Sequence, residues 1–493
     1  MNRGDGSCCD FILPQGGTHH DDGGIYTRMT QPFYRKFIGN AAFYKAVLAV
    51  TIPILLQNGI TNFVSMLDNI MVGRVGTQQM SAVAIANQLF FVFNLCVFGV
   101  TAGAGIFTTQ YYGRGDVEGM RSTIRFKLIA VGIFCVAGIA VFLLFGENLI
   151  ALYLKGQGVK GDAEATLHYA RSYMLIMLIG IVAFSITQVY AGTLRETGDT
   201  LLPMKCGFTA VAINLAFNYV LIYGKLGFPK LGVDGAAIAT VLSRFVEAFL
   251  IIFMTHRKKE KYPFFTGIYR SLRIPKTLVK YIMVKGMPLL VNEALWALGT
   301  AILAQCFSVR GLIVVAAYNI SSTIFNVFMV VALSLGNAIA IMVGHQLGAR
   351  RHDDAMDTAR KLMFFAVVSC AVCGAIMAAL AGPFANIYNT TAEIKDMAKS
   401  FIIIVAICFP IIAFVNACYF TLRSGGKTLL TCAFDGGYVW VIAVPLVYIL
   451  TKATSLSVVV IFAICQYSEI TKAVAGYILV KKGVWLYTIP NRT

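Results

Sequence analysis

Charge is scarce in this sequence. Only 13% of its 493 residues are Asp, Glu, Lys or Arg, about half the share of a typical soluble domain. So few charges cannot cover a soluble surface, which excludes a cytosolic enzyme and a secreted scaffold. Catalytic signatures are missing as well. There is no H-E-x-x-H and no G-x-S-x-G, and His168, His256, His345 and His352 fall at the ends of apolar runs or in loops. Nothing assembles the nucleophile or metal constellation of a membrane-embedded enzyme. The 12 cysteines fall mainly in or beside apolar runs, where cysteine behaves as a small hydrophobe. Cys370-x-x-Cys373 has the spacing of a redox pair but no partner cysteines or histidines.

What is abundant is apolar sequence, at 58%. A helix crossing a bilayer needs about 20 apolar residues, so this stock supplies roughly a dozen spans. Twelve runs are read at about 43–73, 80–112, 122–145, 165–194, 201–223, 233–255, 280–308, 313–348, 358–382, 397–422, 429–450 and 456–480. The expected fold is an all-α polytopic membrane protein with twelve transmembrane helices. Residues 1–40 stand apart: they lack both a helical apolar period and the basic start of a secretory signal. They read as a disordered tail, within which Met29 is a candidate start.

The balance of 41 basic against 23 acidic residues gives a net charge of +18. On a soluble chain this would suggest nucleic acid; on a membrane protein, position decides. With both termini cytoplasmic, 29 basic residues fall on the inner side and ten on the outer, and Arg244 and Lys472 lie within spans. Cytoplasmic loops carry such an excess. The charge is therefore a mark of topology, and nucleic acid drops out as a partner. The expected location is the plasma membrane, with the bilayer itself the main partner and no obligate protein partner evident.

The chain also repeats itself. At a shift of 235, Pro53 meets Pro288, Leu55 meets Leu290, Gly76 meets Gly311 and Gly113 meets Gly348. At a shift of 228, Thr193-Leu194-Arg195-Glu196-Thr197-Gly198-Asp199-Thr200-Leu201-Leu202 matches Thr421–Leu430 at seven of ten positions. Two six-helix lobes, 41–256 and 279–482, are thus expected in the same orientation. A basic cytoplasmic linker, 257–278, joins them, and a tail of 483–493 follows. Parallel repeats are one plan of secondary transporters, whose two lobes rock around a central cavity. A channel or a membrane enzyme could also arise by duplication.

Ionisable residues inside a span cost about 2.5–3.5 kcal/mol each on insertion scales, so each needs a reason. Asp68 has no basic residue within a turn on its N-terminal side. It can bind a proton or a cation, or it can be a structural acid paired with water or with Arg74. Asn214 and Asn218 share a face of the fifth span, being four apart. With Thr240 they add neutral oxygens to a carboxylate, the set a hard cation favours. Interhelical hydrogen bonding is the plainer role for the two asparagines. In the seventh span Asn292-Glu293 follows Pro288, and the 235 shift sets Glu293 against Asn58 and Asn292 against Gln57. Glu293, Asn292 and Gln57 are expected to face a cavity for a cationic solute. Pro53 and Pro288 each remove a backbone donor and are candidate hinges. Glu469 and Lys472, one turn apart, can pair with each other, and Asp435 is compatible with either a structural or a functional role.

These residues and the repeat together resemble the multidrug and toxic compound extrusion (MATE) family, within the multidrug/oligosaccharidyl-lipid/polysaccharide flippase superfamily. The likeness runs from about residue 40 to the end. It is carried by Pro53 with Asp68-x-x-Met71-Val72-Gly73, by Gln110-Tyr111-Tyr112-Gly113-Arg114-Gly115-Asp116 and by Arg195-x-x-Gly198-Asp199-Thr200. Asn214-x-x-x-Asn218-Tyr219 and Leu231-Gly232-x-x-Gly235-Ala236-Ala237-x-Ala239-Thr240 complete it. The resemblance implies an antiporter that exports lipophilic cations in exchange for Na⁺ or H⁺ and needs no other cofactor. It places the family's first-span acid on Asp68, its fifth-span polar pair on Asn214 and Asn218, and its sixth-span threonine on Thr240. Some relatives carry an aspartate where this chain has Asn218, which leaves the coupling ion open. A lipid-linked glycan flippase of the same superfamily is the alternative, and would favour a cationic cavity.

Overall fold

The computed structural model describes residues 36–154 and 160–489. Residues 1–35, including Met29 and most of the expected tail, lie outside the described residues, as do Lys155 and Arg492 from the charge count.

Twelve helices are long and apolar enough to cross a membrane, and there is no strand among the described residues. They are α1 (Ala41–Gly73), α2 (Thr77–Arg114), α3 (Val117–Leu154), α4 (Lys160–Glu196), α5 (Leu201–Tyr223) and α6 (Gly232–Arg257). The second set is α7 (Lys276–Ser308), α8 (Leu312–Gly348), α9 (His352–Ile387), α10 (Ala392–Ser424), α11 (Thr428–Ala453) and α12 (Val458–Lys481). Each apolar run has become one helix. Several helices outrun their apolar stretch: α3 begins five residues before its run because Asp116 Oδ1 caps it, accepting the Gly119 N–H at 2.8 Å. The capped turn orders Glu118, Arg121 and Arg125 along a polar helical extension.

Loops follow the repeat. Gly198 lies in the α4–α5 connection at φ 85° and Gly426, its equivalent at shift 228, lies in the α10–α11 connection at φ 68°. Both positions need the left-handed backbone that glycine adopts without steric cost.

α11 departs from a uniform helix. It opens into π turns over Ala433–Gly437 and Val439–Ala443, and such widened turns free backbone groups for other partners. The Gly436 N–H donates to Asn292 Oδ1 of α7 at 2.9 Å.

The chain divides into two compact units. A first-half unit holds Pro53–Thr108 and Asp116–Leu290. A second-half unit holds the described residues up to Ile52, then Thr109–Gly115, then Val291 onward. The division falls inside helices. α1 changes unit at Ile52/Pro53, α2 at Thr108/Thr109, and α7 at Leu290/Val291, close to Pro53 and Pro288. In the first-half unit, α2 and α7 approach at Gly103 and Gly286, where a Cβ on Gly103 would stand 2.5 Å from the Gly286 Cα. In the second-half unit, Val47 of α1 packs with Ile339, Val343 and Trp485 in one apolar cluster, and a second cluster links α7 to α12 through Phe401, Phe409 and Phe462.

Candidate functional site

In the first-half unit Asp68, half-buried on α1, faces α5. Asn218 Nδ2 donates to Asp68 Oδ1 at 2.6 Å. One terminal atom of the Asn214 amide lies 3.2 and 3.3 Å from the two carboxylate oxygens; only its nitrogen can bond there, which turns its oxygen toward Thr240 Oγ1 at 3.3 Å. Thr240 is held by its own bond to the Ala236 carbonyl at 2.9 Å. The four residues expected to form a cation or proton site are thus brought together from three helices. The i,i+4 spacing of Asn214 and Asn218 accounts for their common face.

Two features separate this cluster from ordinary helix–helix bonding. Asp68 has no ion-pair partner among the described residues, and the pairing with Arg74 does not occur. Moreover, Asn218 Oδ1 is buried with no hydrogen-bond partner among the described residues. A buried polar atom without a partner costs about 1–3 kcal/mol. A carboxylate next to an unused amide oxygen is a donor set that fits a hard cation.

Gln57 is half-buried, and its Oε1 accepts from Arg195 Nη2 at 2.9 Å, so this side chain ties α1 to the end of α4. Arg244, counted as a charge within a span, pairs with Glu247 at 3.2 Å and lies 5.4 Å from the Phe184 ring. Lys127 is one of the 29 basic residues counted on the inner side. It is fully buried in α3 and pairs with Glu196 of α4. The signal was present, since Lys127 sits among apolar residues at the edge of a run, but its partner lies 69 positions away.

In the second-half unit Asn292 is 1% exposed and engaged at both ends of its amide. Its nitrogen donates to Asp435 Oδ2 at 3.0 Å and its oxygen accepts from Gly436. It is therefore a clamp between α7 and the widened turn of α11, which corrects the expectation that it lines a solute cavity. Glu293 is half-buried and accepts from Tyr419 at 3.3 Å. Lys472 pairs with Glu469 of its own helix at 3.9 Å, as the one-turn spacing suggested, and has a nearer partner besides in Asp435 of α11 at 2.7 Å. The ammonium lies 5.6 Å from the Phe434 ring and 5.4 Å from the Tyr438 ring, a favourable setting for a buried cation. Asp435 is thereby paired with Lys472 and hydrogen-bonded to Asn292.

The MatE family model matches residues 53–220 and 288–449, two blocks that correspond to the two copies of the repeat. A probable multidrug resistance protein, NorM, of Thermotoga maritima is 24% identical over 409 residues, covering 83% of this chain and 86% of its own length. The probable multidrug resistance protein YoeA of Bacillus subtilis is 23% identical over 431 residues, covering 87% and 91%. Among solved structures, a transporter of the same superfamily from Pyrococcus furiosus, described by the reversed polarity of its binding pocket, superposes with a TM-score of 0.78 at 20% identity. It covers 92% of this chain and 99% of its own. Twelve membrane-spanning helices, the internal repeat and a family match over both halves lead to one conclusion: the chain belongs to the MatE family of multidrug and toxic compound extrusion transporters.

Proposed function

We propose that this protein is a multidrug exporter, an antiporter of small lipophilic cations that takes up Na⁺ or H⁺ in exchange. The observation that carries the reading is the Asp68 cluster. A carboxylate without an ion-pair partner, bonded only to amides and adjacent to the unused Asn218 oxygen, can take either a proton or a metal cation. Either ion cancels the charge that the amide donors now stabilise. With that charge gone, the bonds from Asn214 and Asn218 weaken and α1 is free to bend near Pro53. Cation entry and solute release would be coupled in this way. Asp68, Asn214, Asn218 and Thr240 hold the ion, Glu293 presents an acid to the solute, and Pro53 and Pro288 act as hinges. The names of the NorM and YoeA relatives support drug export. The two lysines buried among the described residues, Lys127 and Lys472, are each paired with a carboxylate, so neither offers the free cation that a lipid-linked pyrophosphate would favour.

The test is efflux of a panel of fluorescent cations from proteoliposomes under an imposed Na⁺ or H⁺ gradient. Wild-type protein is expected to drive uphill, saturable efflux with one of the two gradients. Asp68→Asn is expected to abolish it while the protein stays in the membrane, and wild-type transport by that variant would sink the proposal.

A further inference from the structure

The motif Gln110-Tyr111-Tyr112-Gly113-Arg114 ends α2, and the ion cluster makes no use of it. Its counterpart at shift 235 is His345-Gln346-Leu347-Gly348-Ala349, at the end of α8. The two helix ends cross at their glycines. A Cβ on Gly113 would stand 1.9 Å from the His345 carbonyl oxygen, and one on Gly348 would stand 2.0 Å from that of Gln110. Residues 110 and 345 are themselves related by 235, so the contact is reciprocal. Each glycine rests on the carbonyl three residues before the other. Such an approach has no slack and tolerates no side chain.

The segment after α12 seals this crossing. Trp485 is fully buried, with Nε1 donating to the Val480 carbonyl at 3.1 Å. The Ile489 N–H donates to Gln110 Oε1 at 2.8 Å, and Gln110 Nε2 donates to the carbonyls of Ser424 at 3.0 Å and Tyr487 at 3.3 Å. Arg114 Nη2 donates to the Ile489 carbonyl at 2.5 Å. Thr488 Oγ1 reaches the Leu347 carbonyl at 2.9 Å and the His352 ring at 2.9 Å. α2 belongs to the first-half unit as far as Thr108. Its last turn is thus held in the second-half unit by the strap and by α8.

We propose that Trp485–Ile489 is an intramolecular latch, which keeps the α2–α8 crossing closed on the face bearing the basic loops and must release for that face to open. The inference rests on the transport reading above. An alternating-access protein has to part the helices that close one face. Packing without slack is either made or broken, which makes the crossing a two-state element. Gln110 commits its whole amide to bonds that exist only when α2, α10 and the strap are together. Release of the strap and loosening of the α2 end are therefore one event.

The experiment is hydrogen exchange on the full-length protein in nanodiscs, read at 484–489 and 109–115, alongside proteoliposome efflux. Gln110→Leu is expected to raise exchange in both segments together, by about tenfold, and to change the half-saturating solute concentration. Gly348→Ala leaves every strap bond intact but cannot close the crossing, and is expected to raise exchange in the strap as well. Should Gln110→Leu fail to fold, Thr488→Val removes the two bonds of that hydroxyl, to Leu347 and to His352, and is expected to act in the same direction by a few fold. The latch is overturned if the strap is freed while 109–115 stays protected and efflux is unaltered. Loss of gradient-driven efflux in the wild type would instead overturn the transport reading, because the coupled exchange is measured without a gradient.

Discussion

The polar clusters of the two units are built on duplicated helices yet solve the problem of buried charge in opposite ways. In the first-half unit Asp68 is held by neutral amides, with an amide oxygen to spare. In the second-half unit Asp435 is neutralised by Lys472, whose ammonium stands over two aromatic rings, and is clamped by Asn292. The sixth helices show the divergence directly. At a shift of 225, Ser243 meets Ser468 and Ala248 meets Ala473, while Arg244 meets Glu469 and Glu247 meets Lys472. The same one-turn charge pair is present in both copies with its signs exchanged, at 3.2 Å in one and 3.9 Å in the other. Duplication kept the backbone and reversed the chemistry. A carboxylate that already has a lysine has little left for an ion, whereas one that has only amides can still gain by binding one.

The largest expected effect breaks this contrast from the first-half side. Asp68→Asn should reduce gradient-driven efflux to background, a loss of at least about 100-fold on the scale of charged interactions in a low-dielectric site. Its thermal midpoint in detergent should stay close to that of the wild type. On the second-half side the order of effects reverses. Lys472→Met leaves the half-buried Asp435 without its counter-charge and is expected to cost about 3 kcal/mol, read as a fall in the thermal midpoint. Adding Asp435→Asn should recover most of that loss, because two neutral groups replace one unpaired charge. An equal effect of Lys472→Met with and without Asp435→Asn would show that the pair is not the source of the stability.

A smaller effect tests the matched loops. Burial alone would raise the Asp199 carboxyl, but bonds from Lys261, Tyr262 and the Leu202 N–H hold it below the usual carboxylate range. A depressed folded value means a contribution that is complete above about pH 4 and lost as pH falls through the folded value. Asp199→Asn should therefore cost about 1 kcal/mol at neutral pH, discounted because Lys261 is exposed, and the gap to wild type should close in strong acid. A gap that is constant down to pH 2 would contradict the assignment. The equivalent of Asp199 is Lys427, which lies 5.3 Å from the Tyr487 ring, and Tyr487 in turn matches Tyr262 at shift 225. Each α4–α5-type loop thus grips the segment following the sixth helix of its own half, by an ion pair in one and a ring contact in the other. The smallest effect is expected at Gly426→Ala, about 1 kcal/mol for a side chain in left-handed backbone, with Gly198→Ala similar.

Local pattern made much of this legible. Apolar runs of bilayer length could only be helices, because backbone polar groups in lipid must be satisfied within the segment. Asn214 and Asn218 declared their shared face through i,i+4 spacing, and Asp68 declared itself by being an acid with nothing basic beside it. The partners that local pattern leaves unnamed have a common cause. Gln57 bonds to Arg195, 138 positions away, and Lys472, besides pairing with Glu469 one turn away, bonds to Asp435, 37 positions away. Periodicity fixes which face of a helix is polar. It does not fix how far that helix is rotated toward a neighbour, and a rotation of one residue exchanges one partner for another.

By itself, then, the sequence determined the membrane class, twelve spans, the duplication and the acid at Asp68, because each rests on composition, period or self-similarity along one strand of chain. Only the tertiary structure decided which buried charges are already answered. It also decided that Asn292 clamps a widened turn, and that the end of α2 is gripped by the strap after α12. Those outcomes depend on distances of a few ångströms between residues that are tens to hundreds of positions apart, and no local pattern carries that information.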